Sequence, residues 1–155
     1  MLLSMLTHDT APQTTSDSPL TTVLDLARAR TLILRDVDAA IGMHHGIGLS
    51  DLGLLLELRN APDGRMRRVD LAHRLGVTTS GVARQLAPLE RIGLVAREPS
   101  PGDARLALVV ITEAGIRVAG EAQPTAERGA EIALGKLWKA DEQGALGFLL
   151  RAARA

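Results

Sequence analysis

Cysteine is absent from the 155 residues, which excludes disulfide frameworks, thiolate zinc sites, thiol catalysis and thiol-based redox sensing together. Tyrosine is absent too, and the aromatic set is Trp138 and Phe148. A chain so poor in rings offers no platform for stacking unpaired bases and no cage for an organic cation. Its core has to be built from Leu, Ile, Val and Ala. Excess charge of one sign is also missing: 18 Lys and Arg balance 18 Asp and Glu, so bulk electrostatics point to neither nucleic acid nor membrane. Long apolar runs are lacking. The stretch Met1 to Leu6 is apolar, yet it has no basic leader and is too short for a secretory core or a span, so the expected compartment is the cytoplasm. No phosphate-cradling glycine loop, serine elbow or paired-carboxylate motif occurs, which argues against an enzyme. No cofactor is expected.

What is present fits one soluble domain, with 46% apolar and 23% charged residues. Residues 1–18 end in a Thr, Ser, Asp and Pro-rich stretch without apolar period and read as a disordered tail. Ser18-Pro19 can cap and open a first helix. Leu20, Leu24, Ala27, Thr31, Leu34 and Ile41 mark one stripe along it, and Val23, Leu26, Ile33, Val37 and Ala40 a second. A helix apolar on two sides needs two partners: its own domain, and either a second subunit or more of the same monomer. Gly42, Gly46 and Gly48 are the expected stop.

A second helix starts at Ser50-Asp51, with Leu52, Leu55, Leu56 and Leu58 inward, and breaks at Asn60 to Gly64. After an extended Arg65-Met66-Arg67 comes a short helix, Val69 to Leu75, stopped by Gly76. Val77 is expected to point into the core. Thr78 offers a cap for a fourth helix reaching about Ile92, with Val82, Leu86 and Leu89 as its buried ridge. The period then changes to that of strands: Leu94 to Glu98 and Leu106 to Ile111 flank turn residues Pro99 to Asp103. Thr112 caps a fifth helix running to about Leu137, perturbed at Pro124, and Asp141 opens a last one.

The fold class is therefore mainly α with a small β-hairpin wing: a winged helix-turn-helix flanked by helices suited to dimerisation. With Val82, Leu86 and Leu89 inward, Thr79, Ser80, Ala83, Arg84 and Ala87 face outward. That face is small and polar, with hydroxyls for phosphates and one guanidinium able to fork onto a guanine edge. Charge distribution supports the reading. Residues 1–58 hold three basic and seven acidic side chains, 59–105 nine and five, and 106–155 six and six. Every basic residue of the middle segment is arginine, where a phosphate-neutralising surface requires it.

Three segments, Val69 to Thr78, Leu89 to Val95, and Asp103-Ala104-Arg105 followed by Val110 to Gly115, resemble in order and spacing the MarR family of winged-helix transcription regulators. The resemblance runs from about Leu49 to Gly115. It implies a homodimer, residues 19–48 and 112–155 forming its dimerisation region and 49–111 its DNA-binding region. It also implies a pseudo-palindromic operator, a repressor role and release by a small-molecule effector. Arg105 at the wing tip would enter a minor groove, oriented by Asp103. Arg67, Arg68, Thr78, Thr79, Ser80, Arg84, Gln85 and Arg97 complete the candidate DNA-binding set.

This chain departs from the family pattern in three places. Arg67-Arg68 stands where a hydroxyl cap is common, Thr79 where a long polar residue is common, and Pro88 lies inside the recognition helix. His44 and His45 are candidate effector contacts. Adjacent imidazoles diverge by about 100° on a helix, so a metal site is not expected. The family's effector pocket, between the first two helices and the fifth, would here be lined mostly by aliphatic residues. The remaining alternative is a winged-helix protein-interaction module without DNA binding.

Overall fold

The computed structural model describes residues 18–100 and 103–139, so the expected tail and last helix lie outside the described residues. The first helix, α1, spans Pro19–His45. Ser18 caps it, its hydroxyl accepting the Thr21 N–H at 3.2 Å, and proline occupies the first turn, where its missing N–H costs nothing. Of the three glycines expected to stop α1, only Gly46 does so. It takes the left-handed backbone (φ 68°) and its N–H donates to the Gly42 carbonyl at 3.2 Å. Gly42 lies inside the helix.

Helix α2, Leu49–Arg59, sits in the middle of the molecule with Leu52, Leu54, Leu55 and Leu58 buried. Leu56, expected inward, is only half-buried, and Leu54 takes the extra inward place. A short strand β1 (Arg65–Arg67) leads into α3 (Arg68–Leu75) and α4 (Thr79–Arg91). Strands β2 (Val95–Ser100) and β3 (Asp103–Ile111) then form the wing, longer than the sequence suggested. The sheet is antiparallel in the order β1-β3-β2, with Met66 opposite Val109 and Val95 opposite Ile111.

Helix α5, Glu113–Leu137, is capped by Thr112, whose hydroxyl accepts the Gly115 N–H at 3.1 Å and donates to the Gly93 carbonyl at 2.7 Å. That second bond pins the start of α5 to the end of the helix-turn-helix. A Cβ at Gly115 would collide with the Leu94 carbonyl, so only glycine permits the junction. The buried face of α5 is made of small residues, Gly115, Ala119, Ala122, Ala126, Gly129 and Ala133, at alternating steps of four and three. Such a face lets a neighbouring helix approach closely. Helix α1 does so antiparallel, with Val37 and Ile41 fully buried. A Cβ at Gly129 would stand 3.2 Å from that of Ala40. Pro124 does not interrupt α5; it is exposed, so the carbonyl left without an N–H lies on the solvent side. Among the described residues no helix is long and apolar enough to cross a membrane.

Candidate nucleic-acid interface

The tight turn between α3 and α4 depends on Gly76. Its left-handed backbone (φ 64°) lets its own N–H donate to the His73 carbonyl and that of Val77 to the Ala72 carbonyl, at 3.1 and 3.0 Å. Val77 does not enter the core as expected: it is 48% exposed. The turn is satisfied by its backbone, and the Val77 side chain lies over the first turn of α4, where a Cβ on Gly81 would be 3.9 Å from its own. Thr78 caps α4, its hydroxyl accepting the Gly81 N–H at 3.0 Å. The same hydroxyl is 3.1 Å from Ser80 Oγ.

Val82, Leu86 and Leu89 are buried and turn one face of α4 to the core. Thr79, Ser80, Arg84 and Ala87 are then exposed together, and Ala83 is half-buried between the two faces. Gln85 is turned away from this outer face. It is half-buried and its Nε2 donates to Asp51 Oδ1 on α2 at 3.4 Å.

The arginine block is partly neutralised from within. Arg65 meets Glu98 at 3.4 Å, Arg74 meets Glu57 at 3.5 Å, and Arg97 meets Glu90 at 3.0 Å, the last tying the wing to α4. Arg67 forks onto Asp70, Nε to Oδ2 at 2.7 Å and Nη2 to Oδ1 at 3.0 Å. Hydrogen bonding from Arg67 holds the Asp70 carboxyl below its usual range, and Asp70 in turn raises the Arg67 guanidinium. Arg67 supplies no side-chain cap for α3; the Asp70 carboxylate it holds instead places negative charge in the first turn, where the helix dipole favours it. Arg59 donates to Gln123 Oε1 at 2.8 Å. Among the described side chains of the block this leaves Arg68, Arg84 and Arg91 with neither an ion pair nor a side-chain hydrogen bond. Arg91 stands exposed at the end of α4. The backbone of Asp103 and Arg105 opens β3, Ser100 being paired with Asp103 across the turn.

His44 and His45 lie elsewhere, at the end of α1 facing α5. His45 Nε2 and Thr125 Oγ1 share a hydrogen bond at 3.2 Å, and Arg128 Nη2 donates to the same hydroxyl at 3.4 Å. With Ala40, Met43, Gly129 and Ile132 they line an open groove of about 590 Å³. Helix α2 takes no part in this groove, one side of which consists of imidazole, hydroxyl and guanidinium. Thr125 and Arg128 stand 80 or more positions from the histidines, and no local pattern announces them. No group of three metal-ligating side chains occurs among the described residues.

A helix, a glycine turn, a second helix with a small polar outer face, and a hairpin braced against it define a winged helix-turn-helix DNA-binding protein. The sequence signature of the MarR family matches residues 45–106, from the end of α1 into the wing. Among solved structures, Sco3205 of Streptomyces coelicolor, a MarR family transcriptional regulator in complex with DNA, is 26% identical, with 86% of this chain and 87% of that one covered and a TM-score of 0.75. Sco5413 of the same organism, a MarR family transcriptional regulator, is 27% identical, covers 87% and 91%, and has a TM-score of 0.74. BpsR of Bordetella bronchiseptica, whose DNA binding is regulated by 6-hydroxynicotinic acid, shares the fold at 23% identity, 86% and 98% coverage and a TM-score of 0.74. No curated protein matches the chain in sequence. The signature match over residues 45–106 and the likeness to these regulators support a DNA-binding transcriptional regulator of the MarR type. The interaction-module alternative is set aside on the same grounds.

Proposed function

We propose that the chain acts in the cytoplasm as a homodimeric repressor that reads a pseudo-palindromic operator and has no enzymatic role. Residues 49–111 would meet DNA, while 19–48 and 112–155 hold the two copies together. The observation that carries this reading is the outer face of α4, where Arg84 stands without an ion pair among small side chains. A guanidinium in that setting can fork onto the O6 and N7 of a guanine without steric competition. Thr78, Thr79 and Ser80 at the start of α4 and Arg68 at the start of α3 would approach phosphates. Arg67 and Arg97 would contribute while held by Asp70 and Glu90, and Arg105 with Asp103 would serve the minor groove. The exposed apolar residues of the first half of α1, Leu20, Val23, Leu24 and Leu26, are the surface a second copy would cover.

The test is a pair of variants measured over a salt series on an operator duplex, selected by the protein from random sequence, and on a scrambled one. Arg84→Ala should cost roughly 1–3 kcal/mol on the operator and little on scrambled DNA. Arg105→Ala should weaken both alike and lower the salt slope by about one. Equal loss of operator preference in the two variants would overturn the assignment.

The groove at the end of α1 favours an effector of stated chemistry. Its polar lining consists of His44, His45, Thr125 and Arg128 with no carboxylate, and its other wall is Ala40, Met43 and Ile132. Donors opposite an apolar wall suit a small ring bearing a carboxylate. Benzoate and 6-hydroxynicotinate, the latter the acid that regulates BpsR, are the probes to use. Release of the operator by either, abolished in Arg128→Leu, is the expected result; release undiminished in that variant would place the effector elsewhere.

A further inference from the structure

The corner between α1 and α2 carries two carboxylates that no DNA contact requires. Asp38 on α1 accepts the Leu49 N–H at 2.6 Å, and Asp51 on α2 accepts the Gly48 N–H through Oδ2 at 3.1 Å. They flank Gly48 so closely that a Cβ there would lie 3.2 Å from Asp38 Oδ1 and 3.8 Å from Asp51 Oδ2. One oxygen of Asp51 is enough to hold the corner. The other, Oδ1, is the acceptor for Gln85 Nε2 on α4.

We propose that Asp51 is a positioning residue for DNA recognition, setting the rotation of α4 through Gln85. Adjacent residues on a helix point about 100° apart. Holding Gln85 against α2 therefore holds Arg84 outward, where it can reach a base edge. The ridge of Val82, Leu86 and Leu89 seats α4 in the core, but apolar contacts are non-directional and tolerate small rotations that a hydrogen bond does not. The corner begins one residue after His45, so an occupant of the histidine groove has a short covalent route to this contact. The inference rests on α4 being the DNA-reading helix.

The experiment inverts the polarity of the contact. Gln85→Glu sets two carboxylates against each other and should lower the preference for the selected duplex over the scrambled one by roughly threefold to thirtyfold. Adding Asp51→Asn to it lets an amide donate to the new carboxylate and should restore most of that preference. Adding Asp38→Asn instead removes the same charge from the same corner without touching position 85, and should restore nothing. Taking the ratio of the two duplexes cancels the general repulsion a new negative charge causes, and thermal melting of each variant identifies losses due to unfolding. Equal rescue by both second substitutions, or rescue by neither in folded protein, overturns the positioning role. A wild-type chain that selects no duplex would instead remove the DNA-reading assignment on which it stands.

Discussion

Leucine meets opposite surroundings in α2 and in the first half of α1. Leu52, Leu54, Leu55 and Leu58 are at most 1% exposed, whereas Leu20, Leu24 and Leu26 are 67, 60 and 53% exposed. Composition does not separate the two helices; their neighbours do. Helix α2 touches α1, α3, α5 and the sheet. Helix α1 runs antiparallel to α5, and Lys136 near the end of α5 is level with Asp36, the two paired at 2.9 Å. From there α1 continues toward Pro19 for about 25 Å at the rise of an α-helix. Along that stretch Trp138 lines, with Thr22, Leu26, Ala29 and Leu32, an open groove of about 410 Å³. The DNA-reading half completes its core among the described residues, whereas the first half of α1 leaves Leu20, Val23, Leu24 and Leu26 exposed among them.

Truncation in α2 should give the largest effect. Leu58→Ala removes a fully buried side chain and should cost about 2–5 kcal/mol, read from urea denaturation. Gly129→Val tests the seam where α1 and α5 meet most closely. With Ala40 Cβ and Val37 Cα on either side of any added Cβ, overpacking should cost about 1–3 kcal/mol. Thr78→Ala removes the cap of α4 and should cost about 1 kcal/mol. Leu24→Ser should change the stability of a single chain by no more than about 0.5 kcal/mol. If a second copy covers α1, however, the denaturation midpoint of the wild type should rise with protein concentration and that of Leu24→Ser should rise less. A midpoint independent of concentration in both would leave that face without a partner copy.

Much of this contrast was legible from local patterns. The ridge of α4 follows from the spacing of Val82, Leu86 and Leu89, and the caps at Ser18, Thr78 and Thr112 follow from a hydroxyl placed before the free amides of a first turn at each site. Two apolar stripes on α1 implied two partners; Val37 and Ile41 are buried in the second half of the helix, while Leu20, Val23, Leu24 and Leu26 of the first half are exposed among the described residues. What escaped depends on distance along the chain. Counting nine arginines overstates the free charge, because Glu57, Glu90 and Glu98 reach Arg74, Arg97 and Arg65 across elements. Gln85 belongs by sequence to the recognition helix and by contact to α2, through an aspartate 34 positions earlier. Val77 escaped for the opposite reason. An apolar residue after a glycine turn suggests core, yet the backbone bonds of the turn leave its side chain outside.

The smallest effect should come from acid, at the residue that divides the two halves of α1. The Asp36 carboxylate accepts from Lys136 Nζ at 2.9 Å and from Arg35 Nε at 3.2 Å. The Lys136 hydrogen bond chiefly, and then that of Arg35, holds its carboxyl below the ordinary value of 3.8. A folded-state pKa below the unfolded one means that the stabilisation is fully present above the unfolded value, near about 3.9, and is lost as pH falls through the folded one. Nothing from this group should change between pH 6 and 8. Asp70, lowered by Arg67, has the same sign, so acid unfolding of the wild type alone cannot assign the effect, and the comparison must be with Asp36→Asn. The gap in urea midpoint between the two proteins should be constant from neutral pH down to about 5 and close as the carboxylate protonates below about 4. Hydrogen exchange should place the change in α1 near Asp36 and leave α2 untouched. A gap that persists unchanged under strong acid would mean that Asp36 holds the seam by packing, not by charge.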